Sequence, residues 1–271
     1  MSLATNNYEE IYELVSKAEQ HIDRRSADAL PLAEKIMAQE VQNRSAHLFA
    51  LANYIQAFYH CVVLNDYDKS IDLCNEAIER LQKEGDLEIA YLLNMTLGNA
   101  YQFRGEVFSA QGHYMLGLRQ LEDRKELNKR EKGFLASFYY NLSLVMGTSQ
   151  IGIDAEDYLL KAIQLYEETE NYFKLSKSYG AYTWILEKRQ EFDKAIETTR
   201  KSLSIDLKLN DPFSIAVSKA NLGLLYLRTQ KTANAFAYLK DALSYFTENN
   251  SLYYIAMVKV NMGETMCAIG D

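Results

Sequence analysis

The sequence predicts an all-α fold built from repeated pairs of antiparallel helices. Three observations lead there. The 271-residue chain holds two prolines and twelve glycines, which suits long helices and disfavours a sheet fold. Hydrophobic residues make up 48% of the chain, enough to build a folded core. Short frames of small residues also recur at near-constant spacing, the mark of internal repeats.

The first pair spans residues 6–44. Tyr8, Ile11, Tyr12, Val15, Ala18 and Ile22 mark one helical stripe, and Ala29, Ala33 and Ile36 mark a second. This pair is a degenerate version of the later ones, as expected for a terminal unit with one neighbour.

Five pairs occupy residues 45–253. The first helix of each carries a frame seen in NMTLGNAY (94–101), SKANLGLLY (218–226) and, beyond the fifth pair, VNMGETM (260–266). Its central positions are Phe58, Gly98, Ser143, Thr183, Gly223 and Gly263, spaced by 40, 45, 40, 40 and 40 residues. A glycine inside a helix costs about 0.8–1 kcal/mol relative to alanine. Its recurrence implies a close crossing with the second helix, placed here between Gly223 and Ala235. That second helix carries its own frame, starting at Ser70, Ala110, Ala155, Ala195 and Ala235. Both frames share one five-residue excess, so it falls between Ala110 and Ser143, with Glu122–Lys132 as its natural place. Polar turns follow four of these second helices, at Gly85-Asp86, Glu170-Asn171, Asn210-Asp211-Pro212 and Asn249-Asn250.

Residues 254–271 read as the first helix of a sixth unit whose second helix is absent from this sequence. Met257, Val260, Met262 and Met266, with Ile255 and Ile269 at the margins, are expected to form an uncovered apolar stripe. The array is therefore expected to continue in a longer protein. The stripe also offers an end-to-end homodimer contact through 254–271.

The repeat resembles the tetratricopeptide repeat. Gly98, Tyr101, Ala110, Tyr114 and Gly117 follow its order of residues, as do Gly223, Tyr226, Ala235, Leu239 and Ala242. The usual unit has 34 residues. A unit of about 40 is similar to the long-repeat subclass of kinesin light chains, Pins-type adaptors and bacterial Rap-type or signalling-protein arrays. The resemblance implies a right-handed superhelix, an α-solenoid, forming a single domain over 1–271.

Composition excludes several functions. The net charge of −8 and pI near 5.2 disfavour nucleic acid as a partner. No apolar run approaches the roughly 20 residues of a membrane helix. Cys61, Cys74 and Cys267 are read as reduced core thiols of a cytoplasmic protein. His21, His47, His60 and His113 form no local ligand motif, and no phosphate loop or nucleophile elbow occurs. No catalytic residue, metal or cofactor is expected.

What remains is a surface. The resemblance implies that the first helix of each pair lines a concave groove. The groove positions lie two, three and six residues before the central position, one after it, and four further on. They place Tyr59, Asn99, Asn141, Trp184, Asn221 and Asn261 there, with Lys177, Lys188 and Arg228 adding positive charge. Asparagine amides both donate and accept, so they can hold an extended peptide backbone. They can equally tie one repeat to the next. The expected function is a non-enzymatic scaffold that binds a protein or peptide segment, as the regulatory region of a larger cytoplasmic signalling protein with a C-terminal output domain. The alternative is a Rap-type peptide or small-ligand sensor whose superhelix changes conformation on binding.

Overall fold

The computed structural model describes residues 2–148 and 154–270. The described residues form thirteen α-helices. In order they are α1 (Ser2–Asp23), α2 (Ala29–Asn43), α3 (Ala46–Tyr59), α4 (Tyr67–Glu84), α5 (Ala90–Phe103), α6 (Val107–Glu122), α7 (Lys129–Thr148), α8 (Asp154–Glu168), α9 (Tyr172–Lys188), α10 (Phe192–Leu209), α11 (Pro212–Arg228), α12 (Thr232–Glu248) and α13 (Leu252–Ile269). A π-helical turn, His60–Leu64, extends α3. The predicted frames fall on alternate helices, central positions on the odd-numbered and second frames on the even-numbered. Gly152 of the second frame, and the side chains of Tyr8 and Ile269, lie outside what is described.

The helices gather into two compact units, 1–131 and 132–271. The boundary falls inside the stretch assigned to the five-residue excess. That excess is shared between the connection 123–128 and an early start of α7.

The turns repeat more regularly than their residues do. Left-handed backbone occurs at Arg25, Asn65 and Gly105, then at Gln190 and Gln230, between the first and second helices of successive pairs. It occurs again at Gly85, Glu170, Asn210 and Asn250, after the second helices. Within each run the step is 40 residues or the 85 that spans the excess. Several helix starts are capped by side chains: Ser45 Oγ accepts from Leu48 N–H, Asp66 Oδ1 from Lys69 N–H and Asn171 Oδ1 from Lys174 N–H. Asp211 Oδ1 accepts from both Phe213 and Ser214 N–H, with Pro212 opening α11. Such caps satisfy orphan amides and are each worth about 1 kcal/mol.

The recurring glycine has a structural reason, slightly different from the one expected. A methyl at Gly223 would lie 2.6 Å from Leu239 Cγ and 3.3 Å from the Ala235 carbonyl oxygen. At Gly98 it would lie 2.3 Å from the Tyr114 ring. The space vacated by glycine is thus filled mainly by the large residue four beyond the alanine, not by the alanine itself. Burying a leucine or larger side chain is worth about 1.5–3 kcal/mol, which exceeds the helix cost of the glycine. Gly263 meets nothing within 4 Å, because no second helix packs over it here.

Three further expectations are corrected. Ala46–Leu64 is 19 residues long and apolar enough to cross a membrane by length and composition. It is mostly buried because α3 is packed by α2, α4 and α5, and its apolarity serves that core. Cys61 and Cys74 are buried free thiols, but Cys267 is exposed on the uncovered side of α13. The apolar stripe of α13 is divided. Met257 and Met262 pack, partly buried, with Val258 against Ala216, Ala220, Leu239, Ala242 and Phe246. Val260 and Met266 are 61% and 45% exposed. The stripe turns both ways because α13 rests on α11 and α12 with one face only.

Candidate peptide-binding surface

The predicted groove positions behave differently in the two units. In unit 1 they are buried or half-buried except Phe103, which is 58% exposed. Ala52, Ile55 and Leu92 are fully buried, Thr96 is 1% exposed, and Met95 and Tyr59 are each 7% exposed. Tyr59 is therefore a core residue, not a surface anchor, because α3 is packed on several sides. Asn99 is half-buried and already engaged, since the Tyr114 hydroxyl lies 2.8 Å from Asn99 Oδ1 and 2.7 Å from Gln102 Oε1. It ties α5 to α6 within one pair, a role between the two that the sequence offered.

Unit 1 also fills its own interior with a polar network. Glu19 Oε1 accepts from the Tyr54 hydroxyl at 2.7 Å and from Arg130 Nη2 at 2.7 Å. The Arg130 guanidinium lies 5.8 Å from the Tyr12 ring centroid, and that of Arg124 lies 5.2 Å from the Tyr91 ring. Burial, then the Glu19 charge, holds the Tyr54 phenol well above its ordinary pKa. Sequence reading missed this network. Glu19 and Arg130 stand 111 residues apart, and no local pattern joins them.

In unit 2 several of the same positions are open, although Ser137, Ala220 and Asn261 are buried. Trp184 is 51% exposed on α9, with Lys188 Nζ 5.5 Å from its ring centroid. Lys177, earlier on α9, is exposed and rests its Nζ 4.2 Å from the Phe173 ring. Asn221 on α11 and Asn141 on α7 are half-buried. Arg228, at the end of α11, lies 3.8 Å from Glu264 on α13, so its charge is partly answered. Asn261 is 9% exposed and faces the packing side of α13. Trp184, Lys188, Lys177, Asn221 and Arg228 are thus the predicted site residues with accessible surface, together with half-buried Asn141.

Between α9, α10 and α11 a polar cluster accompanies the apolar packing of Leu186, Ile196, Leu222 and Leu225. Asp206, 1% exposed, accepts hydrogen bonds from Ser176 Oγ and, at 2.7 Å, from Ser218 Oγ. Ser202 Oγ lies 2.8 Å from Ser176 Oγ and 3.3 Å from Ser218 Oγ. Thr183 and Thr199 hydroxyls meet at 3.0 Å beside them. A buried carboxylate held by hydroxyls retains compensation for lost water without a cation.

The same architecture appears in known proteins. The crystal structure of the apo form of RapI superposes with a TM-score of 0.72 at 19% identity, covering 96% of this chain and 73% of that one. The fold is that of a tetratricopeptide-like α-solenoid. A Rap protein complexed with competence and sporulation factor gives a TM-score of 0.67 at 18% identity, covering 97% of this chain and 74% of the other. Among curated proteins, response regulator aspartate phosphatase I of Bacillus subtilis (strain 168) is 28% identical over 224 residues. That alignment covers 78% of this chain and 55% of the relative, so the chain matches about half of the relative's length. No family model matches the sequence.

Proposed function

We propose that this tetratricopeptide-like chain is a non-enzymatic scaffold that binds an extended protein or peptide segment on the odd-numbered helices of unit 2. The observation that carries the reading is a contrast in burial: the positions filled by buried Ala52 and Leu92, and by buried Tyr59 and half-buried Asn99, in unit 1 present Lys177 and Trp184 to solvent in unit 2, with Lys188 and Arg228 exposed on the same helices. An exposed aromatic beside lysine and arginine suits a segment with an apolar residue and a carboxylate. Asn141 and Asn221 supply amides for its backbone. The known Rap protein with a bound factor supports the class of ligand by analogy. The free buried thiols of Cys61 and Cys74 suit a cytoplasmic setting, and the array is proposed to regulate an output domain in a larger signalling protein.

The hydroxyl-lined contact around Asp206 favours the sensor reading as a second form of the same proposal. Hydroxyl contacts can exchange partners when α9 and α11 shift, so a bound peptide can bias them. Trp184 is the sole tryptophan, which makes the test direct. Peptides of varied sequence with free carboxyl termini are titrated while its emission is followed. A saturable shift that Lys188→Ala and Arg228→Ala weaken supports the site. Binding with no change in Trp184 emission, and no loss in either variant, places the partner elsewhere and overturns it.

A further inference from the structure

Unit 1 holds a cluster that the scaffold reading does not use. His47 opens α3 and is 7% exposed. The connection after α4 wraps around this helix start. Glu84 Oε2 accepts from the Ala46 N–H at 3.1 Å, and Asp86 Oδ2 lies 3.2 Å from His47 Nδ1. Two residues on, Glu88 brings a second carboxylate. One ligand atom from each of His47, Asp86 and Glu88 lies within 4.8 Å of the other two.

We infer that His47, Asp86 and Glu88 form a divalent-cation site of the zinc type, with one coordination position open to solvent. Four features carry this. First, the donor set of one imidazole nitrogen and two carboxylates is that of three-ligand zinc sites. Second, the 3.2 Å between Nδ1 and Oδ2 is close to the edge of a tetrahedron with metal–ligand bonds of about 2.0–2.2 Å. Third, Asp86 is oriented in advance. Its Oδ1 accepts from the Glu88 N–H at 3.1 Å, which leaves Oδ2 turned to His47. Fourth, the far imidazole nitrogen has a partner: His47 Nε2 lies 3.1 Å from the Tyr12 hydroxyl. Metal-bound histidines characteristically donate that N–H to an oxygen, which fixes the tautomer and the ring plane.

Binding asks for a tautomer change. When Nδ1 binds the cation, the imidazole proton sits on Nε2 and is donated to the Tyr12 oxygen. Two guanidiniums stand near the cluster: Arg130 pairs with Glu19, and Arg124 pairs with Glu131 and donates to the Glu88 backbone carbonyl. The carboxylates of Asp86, Glu88 and neighbouring Glu84 are the negative charges at this helix start. Glu88 is exposed while His47 is buried, so the cation would enter from the Glu88 side and keep a water there. The ligands escaped the sequence reading because they join a helix start to a connection about 40 residues away, with no local motif.

The test is calorimetric titration of the full chain with Zn²⁺, supported by the visible absorption of bound Co²⁺. One equivalent is expected, with a tetrahedral Co²⁺ spectrum and a rise in melting temperature at saturation. Asp86→Asn and Glu88→Gln should each weaken binding at least tenfold. Tyr12→Phe should weaken it by about ten- to a hundredfold through ring orientation. Glu88 is exposed, so Glu88→Gln should leave folding intact even where a change at His47 would not. His60, paired at 3.3 Å with exposed Asp66, is the competing surface site, and His60→Gln should leave the affinity unchanged. The inference is overturned if no saturable equivalent is found, if His60→Gln removes it, or if Asp86→Asn and Glu88→Gln both bind as the parent does.

Discussion

The Thr183 hydroxyl lies 3.0 Å from that of Thr199, at the place in the repeat where Gly223 meets Leu239 and Gly98 meets Tyr114. Each pair is separated by 16 residues. Where one partner is glycine, the other is large. Where the first gains a side chain, the second shrinks to threonine. Phe58 with Cys74 continues the same exchange in sequence, and Ser143 with Leu159 keeps a small residue against a large one. The repeat thus conserves a shared volume rather than a residue, as dense packing requires.

This reciprocity predicts a swap. Thr199→Leu alone should overfill the contact and cost about 1–3 kcal/mol. Adding Thr183→Gly should recover most of that loss, because the pair then copies Gly223 and Leu239. Chemical denaturation of both single variants and the double variant gives the coupling energy. Additive losses would show that the two positions do not share space.

The glycines should respond to alanine with opposite signs. At Gly223 the new methyl meets Leu239 Cγ at 2.6 Å and a backbone oxygen at 3.3 Å, so Gly223→Ala should lower the melting temperature. At Gly263 nothing stands within 4 Å, so Gly263→Ala should gain about 0.8–1 kcal/mol of helix propensity. A stabilising Gly223→Ala would remove the close-approach argument.

The repeat was legible because its signal is periodic. Six central positions and five second frames share one register, and that register placed the odd and even helices. The turns were legible only where Gly, Asn or Pro marked them. Gln190, Gln230 and Arg25 adopt the same left-handed backbone without a residue that announces it. The site was less legible. Periodicity supplied the phase of each helix face but not which face another helix covers, so Tyr59 was placed on a surface and lies in a core. Asn261 failed for a similar reason, since α13 turns that residue toward α11 and α12. Long-range partners such as Glu19 and Arg130 leave no periodic trace at all.

His113 predicts a pH dependence. Its Nδ1 lies 3.0 Å from Asn94 Oδ1, and its ring stacks on Tyr101 with centroids 5.3 Å apart. Burial lowers its pKa below the ordinary 6.5. In the window just below that value the unfolded chain takes up a proton that the folded chain refuses, so the unfolded state binds more protons. The contribution is complete above the unfolded pKa and is lost as pH falls through the window to the folded pKa. Urea midpoints should therefore drop as pH falls below the ordinary 6.5, and His113→Gln should show a smaller drop. Parallel curves for the two proteins would reject the assignment.

The buried carboxylate of α10 gives the last prediction. Asp206 accepts from Ser176 on α9 and Ser218 on α11, so its removal takes a charged acceptor from two buried hydroxyls at once and leaves them only Ser202 Oγ. Hydrogen bonds to a charged group are worth about 1.5–3 kcal/mol, and Asp206→Ala should cost at least that much. Replacing the whole set, Asp206→Leu with Ser176→Ala and Ser218→Ala, should be far less damaging, because no polar group is then left without a partner. The comparison also bears on the sensor reading. An apolar contact resists the sliding that a hydroxyl contact permits, so the triple variant should hold α9 and α11 in one arrangement. It should then show a smaller change in amide hydrogen exchange along α9 to α11 when a peptide shifts Trp184 emission. Equal exchange changes in parent and triple variant would leave the scaffold reading standing and remove the sensor.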